Sequence, residues 1–286
     1  MRAKTSHHVE LVAMDLTVEK LASMIDHTEL KPEAVRSKIQ QLCEEALTYR
    51  FATVCINPTH VAYASELLKD SPVKVCCVVG FPLGATLPEI KAAEAKQVVS
   101  LGAREVDMVI NIGALRDQNV ALVRSDIEGV VAASGDALVK VILETGFLTD
   151  DQKRQACLIC KEAGARFVKT STGFGPMGAT PYDVRLMREA VGDSMGVKAA
   201  GGIKTFKDAL RLIEAGANRL GSSSGVALVE DFRWTQYSDT WVQPDKPCWT
   251  CPSRQANLAK LPKDVYLYYK QKCLICPNRE QNVFND

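Results

Sequence analysis

Two lysines in this sequence lie near the C-terminal ends of short strand-like runs, and each is followed by glycine. Lys169 stands in "RFVKTSTGFG" and Lys198 in "GVKAAGGIKT". An amine that is buried among apolar groups beside a second cation has a lowered pKa, so it is nucleophilic near pH 7. It can then attack a carbonyl to form an imine, an electron sink for breaking an adjacent carbon–carbon bond. One such lysine alone would favour a rim residue with its ammonium in water, but two at matching positions favour imine chemistry.

Asp107 is an acidic residue inside the otherwise apolar run "EVDMVIN". Side chains alternate along a strand, so Asp107, Val109 and Asn111 share one face, which we expect to point to the interior. A buried carboxylate needs a partner, and Lys169 and Lys198 are the candidates. We therefore interpret Asp107 as a proton shuttle, with a purely structural salt bridge as the alternative.

Five other residues in strand-like runs could take part in a site. Asp26 of "MIDHTEL" is a weaker candidate of the same kind, whereas His27 alternates to the opposite face and is expected to be structural. We expect Cys55 of "VCINP" to pack in the core or at the rim. Lys74 and Lys140 occur early in their runs, so we expect structural ion pairs lower in the sheet, with access of Lys140 to the site as the lesser alternative.

The elements that position these residues follow a repeating strand–helix pattern. Threonine with an acid or amide three residues later marks helix starts by the capping-box spacing, and glycine in "LGA" or "AGA" marks helix ends. The predicted starts are Thr86–Glu89, Thr149–Gln152, Thr180–Asp183 and Thr205–Asp208, and the predicted ends are Gly102, Gly164 and Gly216. In "PEAVRSKIQQLCEEALTYR" a helical repeat of apolar residues falls on Val35, Ile39, Leu42 and Leu47.

Strand-like runs occur at residues 23–28, 52–57, 73–80, 105–111, 138–144, 166–171, 196–200 and 219–223. Eight strands that alternate with helices over about 200 residues are what a closed (β/α)8 barrel requires. An open, doubly wound sheet is the alternative, but no Rossmann fingerprint follows the first strand. The sequence therefore predicts an α/β fold of the TIM-barrel type, with a short cysteine-containing C-terminal extension.

Glycine and serine cluster after the seventh and eighth predicted strands. In barrels of this type the loops after these strands often hold phosphate, and N–H groups at a helix start form an anion site. The residues are Gly201, Gly202, Gly221, Ser223 and Ser224. We predict a phosphate pocket there, and ordinary turn composition is the alternative.

Composition narrows the class of protein and its partners. The chain has 286 residues, 47% of them hydrophobic, and a formal net charge of +1. Near-neutral charge predicts neither nucleic acid nor an anionic membrane as a partner. No apolar run is long enough to span a bilayer, and the N-terminal residues contain no apolar signal core. We therefore expect a cytoplasmic protein.

The last part of the chain differs from the rest, and we divide the sequence into a barrel domain at 1–230 and an extension at 231–286. Two C-x2-C pairs in the extension are separated by 21 residues, a spacing near that of zinc sites. The four cysteines are Cys248, Cys251, Cys273 and Cys276. A structural zinc site is one hypothesis, and reduced or redox-labile thiols are the other. A third pair, at 157–160, lies in a helical pattern and is interpreted as packing.

Together these residues resemble the deoxyribose-phosphate aldolases, which are class I aldolases. The matching segments run in order over about residues 20–229, and they include "LASMIDHTELKP", "VGFPLGAT", "EVDMVINIGAL", "FVKTSTGFG", "GVKAAGGIKT" and "GSSSGVA". The resemblance implies cleavage of 2-deoxy-D-ribose 5-phosphate without a catalytic cofactor. It also implies that Lys169 is the Schiff-base lysine, that Lys198 activates it and assists proton transfer, and that Asp107 acts with it through water. The implied phosphate contacts are Gly173, Gly201, Gly202, Ser223 and Ser224.

The chain departs from this family in two positions near the expected site. Lys204 stands where relatives often carry arginine, and Met177 is bulkier than the small residue expected there. The resemblance also implies a homo-oligomer, a dimer or larger. Two other functions remain open: a catalytically reduced barrel that binds partners through its cysteine extension, and a sugar-phosphate isomerase, which needs no amine nucleophile.

Overall fold

Eight parallel strands close into a barrel in the computed structural model, which describes the backbone of residues 16–241 and the side chains through residue 233. Each strand pairs with the next along the chain, and β8 pairs with β1. The strands are β1 (Ile25–Glu29), β2 (Thr53–Ile56), β3 (Lys74–Val79), β4 (Glu105–Val109), β5 (Leu138–Ile142), β6 (Phe167–Lys169), β7 (Gly196–Ala200) and β8 (Arg219–Ser222). The predicted TIM barrel is confirmed, and every predicted strand-like run overlaps one of these strands, with β1 extending one residue past its run.

Helices follow the strands and form the outer layer. They are α1 (Val18–Ser23), α2 (Arg36–Tyr49), α3 (Val61–Leu67), α4 (Pro88–Ser100), α5 (Ile112–Arg116), α6 (Val120–Ser134), α7 (Asp150–Glu162), α8 (Pro181–Val191), α9 (Phe206–Glu214) and α10 (Gly225–Trp241). Short 3-10 turns occur at Pro58–His60, Thr145–Phe147 and Gly192–Ser194. None of the described helices is both long enough and apolar enough to cross a membrane.

Three of the four predicted helix starts are correct. Thr149 and Thr205 form complete capping boxes, and the Thr180 side chain accepts a hydrogen bond from the Asp183 N–H. The prediction for Thr86 is wrong, because Leu87 is the N-cap of α4 and makes no side-chain cap. Pro88 occupies the first turn of α4. Its φ is already fixed near the helical value and it has no N–H to satisfy, so the helix begins without a threonine cap.

The helical repeat predicted around residue 40 is half correct. Ile39 and Leu42 are buried on α2, but Val35 and Leu47 are exposed. Val35 is the N-cap of α2, in extended backbone, and so lies outside the helical stripe. The predicted helix ends are correct, since Gly102, Gly164 and Gly216 all have positive φ, the left-handed backbone that glycine adopts at helix C-termini.

Apolar side chains fill the layer between the strands and the helices, and the interior of the barrel is charged. Strand residues such as Val54, Val106 and Val168 are fully buried. The buried charged side chains on the strands are Asp26, Glu105, Asp107, Lys140, Lys169 and Lys198. Because burying an unpaired charge is costly, the positions of these side chains relative to one another determine whether the barrel is stable.

A separate buried ion pair joins α4 to α6 outside the barrel wall. Lys91 and Asp126 are both fully buried, with 2.5 Å between Lys91 Nζ and Asp126 Oδ2. Lys91 Nζ also donates to the Val109 carbonyl at the end of β4, at 2.9 Å. Burial raises the pKa of Asp126. This pair fixes the two helices to the end of a strand.

Candidate active site

Asp107 on β4 is the centre of the charged interior. Lys169 Nζ and Lys198 Nζ both donate to Asp107 Oδ2, at 2.8 Å and 2.7 Å. Lys140 Nζ donates to the other oxygen, Oδ1, at 2.8 Å. The strand register produces this arrangement, because Asp107 lies opposite Lys140 across β4–β5 and Lys169 lies opposite Lys198 across β6–β7. The three residues that the sequence singled out for catalysis therefore meet at one carboxylate oxygen.

Asp26 and Glu105 extend the network around Lys198 and Lys140. Asp26 Oδ2 is an ion-pair partner of Lys198. Glu105 Oε2 lies 2.6 Å from Lys140 Nζ. Arg219 Nη1 joins both acids, at 2.7 Å from Asp26 Oδ1 and 3.1 Å from Glu105 Oε2. Every one of these carboxylates has at least two cationic partners, so their burial is compensated.

Charge pairing decides the ionisation of this network. Burial opposes the charged form of Asp107, but the ammonium groups of Lys140, Lys169 and Lys198 outweigh it and hold its pKa well below the usual value of 3.8. The pKa of Asp26 is lowered for the same reason. Burial also opposes the charged form of Lys198, yet Asp107 and Asp26 raise its pKa above the usual value. Lys198 is therefore an ammonium beside Lys169, and it can donate a proton through their shared carboxylate.

Cys76 on β3 is a further contact of Asp107. Its thiol donates to Asp107 Oδ1 at 3.2 Å and accepts from Lys140 Nζ at 3.3 Å. Cys55 lies opposite Cys76 across β2–β3. The atoms of Cys55, Cys76 and Asp107, or of Asp26, Cys76 and Glu105, are close enough together to ligate one cation. Asp26, Glu105 and Asp107 already form ion pairs with lysine or arginine. These cationic side chains therefore compensate the negative charge that a metal ion would otherwise neutralise.

A cavity of about 580 Å³ opens at the C-terminal ends of the strands. Lys169 lines it, at the end of β6. Five of the six residues predicted to bind phosphate also line it: Gly173, Gly201, Gly202, Gly221 and Ser223. The sixth, Ser224, is not a lining residue, and its N–H donates to Ser222 Oγ at 2.9 Å.

The cavity wall carries an excess of positive charge. Besides Lys169, it contains Lys31, Lys38 and Lys204, with Glu29 as the acidic residue. A concave surface with one predominant sign of charge concentrates ligands of the opposite sign, so the cavity suits an anion. The replacement at position 204 thus lies in the cavity wall, where an ammonium cannot form the bidentate contact of a guanidinium.

The structure also gives positions for the other residues that the sequence analysis discussed. His27 faces α2 and lies 2.6 Å from Glu45, as its strand position predicted. Lys140 is buried and ion-paired below Lys169, but Lys74 is exposed, so the expectation of a buried ion pair is wrong for Lys74. Lys74 is the first residue of β3, where the side chain reaches solvent. Met177 is 49% exposed and lies against Gly146 without lining the cavity.

Sequence reasoning missed Glu105, Arg219 and the contact of Cys76 with Asp107. Glu105 had a signal, because it lies two residues before Asp107 and so shares its face of β4. Arg219 had none, since its pairing with Asp26 depends on closure of the barrel between β8 and β1.

Gly221 on β8 leaves room for Lys198. A Cβ placed at this position would lie 3.0 Å from Lys198 Cε and 3.0 Å from Ala200 Cβ. Such contacts are closer than ordinary van der Waals separation. The missing side chain thus allows the Lys198 chain to extend straight towards Asp107.

The fold and the site together define a class of enzyme. A parallel (β/α)8 barrel that carries lysines on an aspartate beside an anion-attracting cavity is a class I aldolase, which breaks carbon–carbon bonds through a lysine imine. The model for the DeoC/LacD family aldolases matches residues 9–230. The chain belongs to this family.

Curated relatives and a solved structure agree with this assignment. The deoxyribose-phosphate aldolase of Enterococcus faecalis is 60% identical over 211 residues, which are 73% of this chain and 96% of that protein. Deoxyribose-phosphate aldolase 1 of Bacillus licheniformis is 58% identical over 213 residues, 74% of this chain and 96% of the relative. The tetrameric deoxyribose phosphate aldolase of Aeropyrum pernix is 35% identical with a TM-score of 0.74, and the match covers 80% of this chain and 98% of that one.

Proposed function

We propose that this enzyme is a deoxyribose-phosphate aldolase. It cleaves 2-deoxy-D-ribose 5-phosphate reversibly to acetaldehyde and D-glyceraldehyde 3-phosphate through a Schiff base on Lys169. Relatives at 58–60% identity carry the name of this activity. The observation that carries the proposal is the pairing of Lys169 and Lys198 on Asp107 Oδ2 at the floor of a cationic cavity.

The contacts of the lysines indicate which of them is the nucleophile. Lys169 lines the cavity, whereas Lys198 and Lys140 lie beneath it and do not. Lys169 has one carboxylate partner, Asp107, but Lys198 is held by Asp107 and Asp26. A nucleophile must reach the substrate and shed its proton. Lys169 can reach a substrate in the cavity and has fewer ion pairs to break than Lys198.

The proposed reaction begins when the Lys169 amine adds to the C1 aldehyde of the open-chain sugar and water is lost, which leaves an iminium. Asp107, acting through water, accepts the proton of the C3 hydroxyl. The C2–C3 bond then breaks, its electrons move to the iminium nitrogen, and glyceraldehyde 3-phosphate leaves. Lys198 supplies a proton for C2 of the resulting enamine through the shared carboxylate. Hydrolysis of the new imine releases acetaldehyde and restores Lys169.

The phosphate end of the substrate is proposed to lie against the glycine-rich loops. Gly173, Gly201 and Gly202 have φ values of 87°, 90° and 79°, a conformation that residues with side chains rarely adopt. It lets the backbone approach an anion closely. Ser223 supplies a hydroxyl on the same wall. The proposed role of Ser224 is confined to its side chain, since its N–H is already bonded to Ser222.

Catalysis of the class I type needs no cofactor. The proposed zinc site concerns the extension alone, and Cys248, Cys251, Cys273 and Cys276 lie outside the described residues. Their spacing supports the proposal. Metal analysis of the full chain, purified without a chelator and dialysed against metal-free buffer, tests it. We expect zinc at 1:1 in the wild type and its loss in Cys248→Ser, which would exclude the free-thiol alternative, whereas a wild type without zinc would contradict the proposal.

The assembly, the location and the domain division are further proposals. We propose a homo-oligomer, supported by the tetrameric Aeropyrum pernix relative. A cytoplasmic location is supported by the six buried free thiols of the barrel, because free cysteines are typical of reducing compartments. The division into residues 1–230 and 231–286 is supported by the family model, which ends at residue 230.

Borohydride trapping tests the proposed function. The enzyme is incubated with 2-deoxyribose 5-phosphate and borohydride, and the adduct is mapped by mass spectrometry. We expect a reduced adduct on Lys169 that is absent from Lys169→Ala and present in Lys74→Ala, an exposed lysine of the same barrel. A folded protein with no adduct on any lysine would exclude imine catalysis, and would favour the binding-protein or isomerase alternatives.

A further inference from the structure

Glu144 is a buried acid that the proposed mechanism does not use. It follows β5 and has a φ of 54°, the left-handed backbone that is unfavourable for residues with a side chain. Its carboxylate is almost completely buried. Among the described residues, its Oε1 atom has no hydrogen-bond partner. Unfavourable backbone conformations of this kind persist only where the surrounding structure holds them in place, and they are common at functional sites.

The other oxygen of Glu144 holds the loop that follows Lys169. The Thr172 N–H donates to Glu144 Oε2 at 3.1 Å. The Thr172 hydroxyl donates to the same oxygen and accepts from the Phe174 N–H at 3.0 Å. Thr172, Gly173 and Phe174 all line the active-site cavity. One carboxylate oxygen therefore fixes three consecutive residues of the cavity wall.

The loop is shaped to lie directly on this carboxylate. A Cβ placed on Gly175 would be 2.6 Å from Glu144 Cδ, so a side chain at this position would force the Glu144 carboxylate to move. Two backbone hydrogen bonds at the C-terminal ends of β5 and β6 place the acid there. The Leu143 N–H donates to the Lys169 carbonyl and the Thr145 N–H to the Thr170 carbonyl. The position of Glu144 is thus tied to the strand that carries the Schiff-base lysine.

We propose that Glu144 is a positioning residue that holds Thr172–Phe174 in the conformation that receives the substrate phosphate. The inference rests on the proposed function. Glu144 touches neither the reacting atoms nor the cavity, and it acts through Thr172. The expected consequence is specific: loss of the carboxylate weakens the use of phosphorylated substrate and spares the imine chemistry at Lys169.

Steady-state cleavage of 2-deoxyribose 5-phosphate and of unphosphorylated 2-deoxyribose tests the inference. Glu144→Ala is expected to raise the KM for the sugar phosphate by about tenfold, the effect of a lost hydrogen bond to a charged group. Its kcat/KM for 2-deoxyribose should remain close to that of the wild type. Glu144→Gln should behave like the wild type, because its amide oxygen accepts both Thr172 hydrogen bonds.

Two further variants complete the experiment. Thr172→Val keeps the shape of the side chain and removes its hydrogen bond to Glu144, so it should reproduce the phosphate-selective loss, and the double variant should be no worse than either single one. If Glu144→Ala does not fold, Thr172→Val still allows the phosphorylated and unphosphorylated substrates to be compared. Asp183→Ala is the control, because it removes a buried acid of α8 that is ion-paired with Lys153 of α7. It should affect both substrates equally.

Equal losses on both substrates in Glu144→Ala, or a Glu144→Gln variant as impaired as Glu144→Ala, would overturn the positioning role while the wild type still cleaves the sugar phosphate. A folded wild type that cleaves neither substrate would instead overturn the proposed function, and this inference with it.

Discussion

The barrel interior and the junction of α4 with α6 both bury lysine beside carboxylate, but Lys169 lines a cavity whereas Lys91 is fully buried. Lys91 meets Asp126 and a carbonyl, and both side chains are sealed from solvent. Lys169 is likewise ion-paired, in its case with Asp107, but it lines a cavity of about 580 Å³. Burial and ion pairing are therefore shared by Lys91, which we interpret as structural, and by Lys169, the proposed nucleophile.

What separates the two regions is the number of cations per carboxylate and the access to ligand. Asp126 serves one lysine, whereas Asp107 is shared by Lys169, Lys198 and Lys140. A shared carboxylate lets a proton pass from one amine to another. The comparison indicates that a buried, ion-paired lysine is a candidate nucleophile when its carboxylate has further cationic partners and its own amine faces an open space.

The largest expected effect follows from Lys169→Met. Without the amine no imine forms, and we expect kcat/KM to fall by more than about 10³-fold. Asp107 keeps Lys140 and Lys198 as partners, so the free energy of unfolding should change little. Assays of aldehyde release and urea denaturation of the same preparation would measure both. Substantial activity in Lys169→Met would show that Lys169, like Lys91, is not the nucleophile.

Replacing Lys91 by methionine should lower stability and leave activity intact, the opposite of the result expected for Lys169→Met. Lys91→Met leaves Asp126 as an uncompensated buried charge, and we expect a loss of about 3–5 kcal/mol in the free energy of unfolding. The folded fraction should retain its activity. In Lys91→Met/Asp126→Leu an apolar pair replaces the ionic one, so that much of the stability should return. A loss of activity as severe as that of Lys169→Met, in folded protein, would contradict the structural assignment.

Lowering the pH should change the contributions of Asp107 and Asp126 to the free energy of unfolding in opposite directions. These changes should be smaller than the effects of the two lysine substitutions. The pKa of Asp107 is lowered by its lysines, so its contribution to stability is complete above 3.8, its usual pKa, and is lost as the pH falls further. The pKa of Asp126 is raised by burial, so its contribution runs the other way and is lost as the pH rises through its pKa in the folded protein. For either carboxyl, a tenfold difference in acid dissociation constant between the folded and unfolded chains corresponds to about 1.4 kcal/mol in the free energy of unfolding.

Urea denaturation between pH 6 and pH 3 would measure these slopes. We expect Asp107→Asn to flatten the acid loss of stability and Asp126→Asn to steepen it. Equal slopes in the wild type and both variants would mean that neither carboxylate titrates differently in the folded and unfolded chains.

Much of the fold follows from local sequence signals. Thr149, Thr205 and the glycines at the helix ends act within a few residues, so they predicted boundaries that the structure shows. The failure at Thr86 is also local, because Pro88 offered a competing helix start. The strand-end position of Lys169 and Lys198 was visible for the same reason.

The parts of the site that sequence reasoning missed depend on long-range register. Alternation along β4 shows that Glu105 shares a face with Asp107, but it does not show that Lys140 and Arg219 reach it. Those contacts require the pairing of β4 with β5 and the closure of β8 on β1. Ser224 does not line the cavity, and the bond from its N–H to Ser222 is a turn contact that composition does not indicate.

Gly221 constrains how this sequence can evolve. A side chain at this position would come within 3.0 Å of Lys198 Cε and Ala200 Cβ, so these neighbours would have to give way by a few tenths of an ångström. Gly221 also lines the cavity, so a substitution there changes the cavity wall and the packing of Lys198 together. Laboratory evolution of this enzyme towards larger substrates should therefore find its early gains in the loops of the cavity wall, where single substitutions leave the interior lysines in place.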